Sequence, residues 1–256
     1  MKAMILAAGL GTRLRPLTDD RPKALVEIDG RTLLEMTLSR LRSVGVSEVI
    51  INVHHFADMI VEYLKTNDNF GMHIEVSREE ALLDTGGGLK KAAHFFVEDS
   101  SRPDSSGEKP FIVHNVDVLS TIDLRRMVQF HNDSHALATL AVQGRKTSRY
   151  LLFDDHLQLC GRWAGPVEPE FVRPALRPHQ QAQVLAFSGI HTISPRLLTM
   201  MTEDGAFSII TSYLRLAADV EKILAFRADE YYWRDLGNPE NVAQAAQDLK
   251  QRVITL

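Results

Sequence analysis

The chain has 256 residues, of which 45% are hydrophobic and 24% charged, enough to bury a substantial α/β core. Its net charge of -4 excludes a general nucleic-acid binder, which carries a basic excess. The single cysteine, Cys160, excludes an intramolecular disulfide and a cysteine-rich zinc site and fits a reducing cytoplasm. No apolar run is long enough to cross a bilayer, and no signal-peptide pattern precedes the first strand.

Segment 2–8 is short, apolar and followed by glycines, which predicts a buried strand. Leu34, Leu38, Leu41 and Val44 recur at helical spacing over 31–44, and Gly45 ends that helix. Val49 to Val53 predicts a second buried strand. A helix near 56–65, a strand near 72–76 and a strand over Phe111–Val113 follow. This alternation predicts an α/β fold with a Rossmann-like, doubly wound, mostly parallel sheet and helices on both faces. Residues 98–109 are polar, with several serines, and 165–181 contain four prolines, so both read as exposed loops. From about 136 the pattern turns strand-rich (137–142, 150–153, 183–191), which predicts a small antiparallel part. Near the end, Asn238 is placed to cap a helix that starts at Pro239 and buries Val242, Ala245, Ala246 and Leu249.

Residues 9–25, GLGTRLRPLTDDRPKAL, follow the first strand, where an α/β sheet binds its ligand. No Walker pattern is present. A dinucleotide fingerprint needs a third glycine where Leu14 stands, and a helix beginning at once. Pro16 and Pro22 oppose that helix, because an interior proline costs ~3 kcal/mol or more. Asp29 keeps a ribose-binding acid, and so an NAD reading, formally open. The remaining reading is a phosphate loop. Gly9 and Gly11 admit close approach and free amides. Arg13, Arg15 and Lys23 supply charge, arginine as a fork and lysine as a point. Two further acids end strand-like segments, Asp117 after FIVHN and Asp235 after YYWR. Brought together they would suit Mg²⁺; alone, each could equally be a turn or capping residue.

The loop resembles the signature of the sugar nucleotidylyltransferases, GxGTRLxPLTxxxPKxLxxxxGxPL. Gly9, Gly11, Thr12, Arg13, Leu14, Pro16, Leu17, Thr18, Pro22, Lys23, Leu25 and Gly30 match it, and the resemblance spans nearly the whole chain. It implies one catalytic domain over 1–256. A nucleotide-binding part would cover about 1–135, a sugar-binding part about 136–237, and the C-terminal helix 238–252. It implies a nucleoside triphosphate and a sugar 1-phosphate as substrates, Mg²⁺ as cofactor, and a monomer or homodimer. Arg13 and Lys23 would be catalytic. Ala8, Gly9, Gly11, Thr12, Glu80 (or Glu79), Thr85 and Gly86 would bind the nucleotide, the last two in a glycine turn, TGGG, ahead of a helix. Asp117 and Asp235 would be the metal ligands of NGD-like and W-x-D-x-G motifs, here Asn115-Val116-Asp117 and Trp233-Arg234-Asp235-Leu236-Gly237. Val116 replaces the usual glycine, and a side chain there is expected to alter the turn or crowd the ligand. FSGI, 187–190, matches the sugar-facing strand, so Asn115, Ser188 and Gly189 join Arg149 on the sugar-phosphate side. A Glu-Lys-Pro sugar clamp is not recognisable. The ten histidines read as surface or loop residues, and Trp163 and Trp233 as packing residues. The alternatives are a phosphocholine-type cytidylyltransferase, whose first loop is similar, and a non-catalytic regulatory relative.

Overall fold

The computed structural model describes residues 1–97, 109–172 and 182–254. The predicted loops at 98–109 and 165–181 therefore lie largely outside the described residues. The strands of the first half are β1 (Lys2–Leu6), β2 (Glu27–Ile28), β3 (Arg31–Thr32), β4 (Glu48–Val53), β5 (His73–Arg78), β6 (Phe111–Asn115) and β7 (Val118–Ser120). Those of the second half are β8 (Ala138–Gln143), β9 (Tyr150–Phe153), β10 (Leu159–Trp163), β11 (Glu170–Phe171), β12 (Gln183–Ile193), β13 (Ile223–Arg227) and β14 (Trp233–Asp235). The helices are α1 (Leu33–Ser43), α2 (Ala57–Thr66), α3 (Asp84–Lys91), α4 (Leu124–Ser134), α5 (Arg196–Thr199), α6 (Ile209–Ala218) and α7 (Pro239–Lys250).

The central sheet runs β5-β4-β1-β6-β12-β8-β13. β5, β4, β1 and β6 are parallel, and β12 enters antiparallel between β6 and β8. Alternate residues of each strand bury on opposite faces, as the pleat demands. Ala3 and Ile5 of β1 join Leu34, Leu38, Ile60 and Met127 from α1, α2 and α4. Met4 turns the other way, toward Leu89 of α3 and Tyr213 and Leu216 of α6. The sheet is thus covered on both faces, and α1, α4, α6 and α7 each start on a side-chain cap. Thr32 Oγ1 accepts from Glu35 N at 3.1 Å to start α1, and Asn238 Oδ1 accepts from Asn241 N at 2.8 Å to start α7.

β12 is long enough to serve two neighbourhoods. Its C-terminal half pairs with β6, and Gln183–Leu185 pair with β9, which continues to β10 and β11. This is the predicted antiparallel part. The chain moves from β1 to β4 and β5 on one side and to β6 on the other, so β1 and β6 flank a switch point where an α/β sheet opens a crevice at its carboxyl ends. A two-stranded ribbon, β7 with β14, stands beside that crevice.

Candidate active site

The loop leaving β1 is held by buried side chains from its neighbours. Asn52, at the end of β4, accepts from Ala7 N at 2.8 Å and donates to Glu79 Oε1 at 2.7 Å. Glu79 Oε2 accepts from Leu83 N at 3.0 Å. The buried Asn52–Glu79 pair therefore ties Ala7, at the start of this loop, to residues 79–83. Glu79 faces inward and is occupied by these bonds, whereas Glu80 is exposed. Ala8 is buried and Gly9 and Thr12 are exposed on the loop. Gly11 takes the left-handed region (φ 67), and its carbonyl accepts from Thr18 Oγ1 at 2.9 Å. One short 3-10 turn, Thr12–Leu14, follows instead of a long helix. Asp29 sits exposed in the β2–β3 turn (φ 53), so the dinucleotide reading loses its helix and gains no support for its acid.

Four charged residues from distant parts of the chain meet at this end of the sheet. Lys23 Nζ pairs with Asp117 Oδ2, and both side chains are largely out of water, at 14% and 13% exposure. Asp117 follows β6, and its carbonyl accepts from Leu236 N at 2.8 Å, which sets it against the residue after Asp235. Asp235 Oδ1 accepts from Gly237 N at 2.7 Å, and its carbonyl accepts from Asn241 Nδ2 at 2.7 Å. Arg13 packs on the same turn. A Cβ on Gly237 would lie 2.5 Å from Asp235 Oδ1 and 2.7 Å from Arg13 Nη2. A side chain at Gly237 would therefore displace these two functional groups. Arg15 does not converge; its side chain is 69% exposed and lies 3.5 Å from Asp19.

Val116 does not crowd this centre. Its side chain is buried in the core and lines a small cavity under α1 with Leu33, Met36 and Arg40. Its φ is not left-handed, so the turn before Asp117 has no need of glycine. The expected distortion is absent because the side chain points away from the ligand face.

On the far side of Asp235 lies a cleft of about 900 Å³ lined by Asn115, Arg149, Ser188, Gly189 and Asp235. Gly189 (φ 72) lets β12 approach β6: a Cβ there would lie 2.9 Å from Asn115 Nδ2. Asn115 Oδ1 and Ser188 Oγ are buried with no hydrogen-bond partner among the described residues. Trp163 and Trp233, read from sequence as packing residues, also line this cleft. Trp163 stacks on Tyr150 with centroids 5.6 Å apart, and Trp233 carries the guanidinium of Arg145 3.5 Å above its ring.

The glycine triplet departs from expectation. Gly86, Gly87 and Gly88 lie inside α3, buried, rather than in a turn before it. Gly86 N donates to Phe207 O at 2.9 Å, and Thr85 Oγ1 accepts from Ile209 N at 3.0 Å, so these groups are engaged within the protein. The histidine reading is corrected too. His114, His131 and His191 are buried, because strands and helices enclose them, whereas His55, His73, His94, His135 and His156 are exposed as expected. Sequence reasoning missed Asn52, Asn241 and Arg145. Their importance lies in contacts with residues remote in sequence, and no local pattern announces it.

Among the described residues no group of three or more His, Cys, Asp or Glu could hold a metal. Asp117 and Asp235 each keep one carboxylate oxygen outside the hydrogen bonds above, and two carboxylates of this kind could hold only an ion that completes its shell with water and phosphate oxygens.

The nucleotidyl transferase family model matches residues 2–153. The chain is 32% identical to N-acetylmuramate alpha-1-phosphate uridylyltransferase of Caulobacter vibrioides, over 93% of this chain and 92% of that protein. It is 30% identical to mannose-1-phosphate guanyltransferase of Candida albicans, covering 94% of this chain and 62% of that longer protein. Among solved structures, HddC from Yersinia pseudotuberculosis complexed with GMP-PN superposes with a TM-score of 0.74. That match has 22% identity and covers 97% of this chain and 99% of HddC, a likeness of fold.

Proposed function

The chain belongs to the nucleotidyl transferase family, as a nucleotidyltransferase acting on sugar 1-phosphates, and from that premise we propose how its residues perform the transfer. A nonbridging oxygen of the sugar 1-phosphate attacks the α-phosphorus of a nucleoside triphosphate. The new O–Pα bond forms as the bond from Pα to the α,β-bridging oxygen breaks, and pyrophosphate leaves with that electron pair. The attacking phosphate needs no general base, because its second pKa is about 6 and it is already a dianion at neutral pH. The obstacle is repulsion between two polyanions, so fixed charge and alignment do the catalytic work.

The convergence of Lys23, Asp117, Arg13 and Asp235 carries this reading. Lys23 and Asp117 hold each other in the free protein. Triphosphate binding lets Lys23 exchange its carboxylate for a phosphate oxygen. Arg13, exposed and steadied against Gly237, presents its fork to the α-phosphate and the departing pyrophosphate. Asp117 and Asp235 would hold Mg²⁺, which supplies charge neutralisation and polarises the phosphoryl oxygens. The amides of Gly9, Gly11 and Thr12 line the triphosphate's path. Asn115, Ser188, Gly189 and Arg149 face the sugar phosphate. The nucleotide part ends near residue 135, and β8 to β14 build the sugar side.

The test is a matrix of four triphosphates against sugar 1-phosphates, scored by product mass. It includes UTP with N-acetylmuramate 1-phosphate and GTP with mannose 1-phosphate, the pairs in the relatives' names, and CTP with phosphocholine. An NDP-sugar product supports the proposal. A CDP-choline product replaces it, and the absence of any product with intact fold points to a regulatory relative. Arg13→Ala should lower turnover at least ~100-fold, the loss expected for one transition-state donor, with triphosphate binding weakened far less. Full turnover in the pyrophosphate-release assay would remove Arg13 from this role.

A further inference from the structure

Arg145 follows β8 and lies half-buried in the wall of the cleft. Its guanidinium stacks over Trp233, two residues before Asp235, with Cζ 3.5 Å from the ring centroid. Nη2 donates to Phe187 O at 2.6 Å, and Trp233 Nε1 donates to Ser188 O at 2.8 Å. The stack is therefore pinned at two successive carbonyls of β12. Nε is buried with no partner, and Nη1 has none among the described residues.

The charge balance of the cleft singles this side chain out. Of the other cations lining the cleft, Arg162 is paired with Glu170 at 2.6 Å, and Lys146 and Arg149 are exposed to water. Arg145 makes no ion pair among the described residues, yet burial has removed part of its water. Burial outweighs the attraction of the Asp235 carboxylate and lowers the Arg145 pKa, so a partly desolvated cation with no contacting carboxylate gains from an arriving anion. Arginine held flat on an aromatic ring keeps its in-plane donors directed and loses little freedom on binding. Asp235 is near both arginines. Arg13 meets it at Gly237, and Arg145 shares the cleft with it on the other side.

We propose that Arg145, stacked on Trp233, is an anchor for the phosphate of the sugar 1-phosphate and presents that phosphate to the reacting centre. This rests on the reading of the cleft as the sugar side. Nη1 donates to a nonbridging phosphate oxygen, while Nη2 stays on Phe187 O and fixes the fork. Arg13 and Lys23, which do not line the cleft, are left to the triphosphate. The sequence gives no hint of this division, because Arg145, Phe187 and Trp233 come from three separate segments.

The experiment uses the full chain and the sugar 1-phosphate of the panel that it turns over fastest. Arg145→Met should raise KM for that sugar 1-phosphate by roughly tenfold to a hundredfold, the loss of one hydrogen bond to a charged group. The triphosphate Kd, measured by calorimetry without sugar phosphate, should stay within about twofold, since Arg13 and Lys23 are untouched. Arg145→Lys keeps the charge but not the fork, so it should fall between the two and guards against a variant that folds badly. An unchanged KM for the sugar 1-phosphate in both variants overturns the proposal. Equal weakening of triphosphate and sugar phosphate also overturns it, because a clamp that merely positions the β14 turn would disturb both. If the unaltered protein turns over no sugar 1-phosphate at all, the functional reading fails and this inference with it. If it does and the variants do not respond, only the inference fails.

Discussion

Lys23 and Asp117 have two roles that a thermodynamic cycle can separate. Their ion pair is largely shielded from water. Removing one partner of such a pair leaves an uncompensated charge, at a cost of about 3–5 kcal/mol when burial is complete and less with the residual exposure seen here. Lys23→Met and Asp117→Leu should therefore each lower stability by a few kcal/mol. The double variant should lose clearly less than the two together, since the stranded charge disappears with both. Activity should behave differently: it stays abolished in the double variant, because no side chain remains to exchange onto phosphate. Urea unfolding of the four proteins measures the first part, and pyrophosphate release the second. Strictly additive destabilisation would mean the pair contributes nothing to the free protein.

Helix α3 shows at the next scale what glycine can do inside a helix. Glycine is unfavourable there by about 1 kcal/mol relative to alanine, so a run of three reads locally as a breaker. The structure places the run where α3 touches the 205–207 segment. A Cβ on Gly87 would lie 2.3 Å from Gly205 O, and one on Gly86 2.3 Å from the Phe207 ring. Lys90 Nζ adds bonds of 2.6 Å to Glu203 O and Asp204 Oδ1. Gly87→Ala should thus destabilise, by about 1–3 kcal/mol as an overpacking, although alanine is the better helix former. A stabilised variant in thermal unfolding would refute that placement. The same contrast explains what could be read in the sequence. The loop after β1, the Asn238 cap with Pro239, and the strands β1, β4 and β6 are local patterns, and all stand where expected. The triplet, the Asn52–Glu79 tie and the Arg145–Trp233 stack depend on residues dozens to more than a hundred positions away, where spacing carries no signal. Val116 belongs with them: its orientation into the core follows from where α1 packs, not from the motif around it.

The whole molecule adds a liability that only the assembled fold creates. His114 in β6 and His191 in β12 are fully buried, and His131 in α4 nearly so. Burial, reinforced by Arg40 nearby, lowers His114 to about 4. Burial and the neighbouring His114 lower His191 to about 3, and burial lowers His131 to about 4. Each ring is used in its neutral form: His114 with Asn115 O at 2.8 Å, His131 with Thr139 Oγ1 at 3.0 Å, His191 with Tyr213 Oη at 2.7 Å. In the unfolded chain all three return to about 6.5. Between those values the unfolded state binds more protons than the folded one, so acid favours unfolding. The stability they contribute is complete above pH ~6.5 and drains as pH falls toward 4, with a limiting slope of about 1.4 kcal/mol per pH unit for each histidine. Unfolding free energy from urea titrations should therefore fall between pH 6.5 and 5, before most carboxylates protonate. His131→Gln can keep a hydrogen bond to Thr139 and lies outside the candidate site, so it should flatten that acid limb by up to one proton's worth of slope. An acid limb equally steep in the variant would show that His131 takes up no proton on unfolding, and that the acid sensitivity comes from elsewhere in the fold.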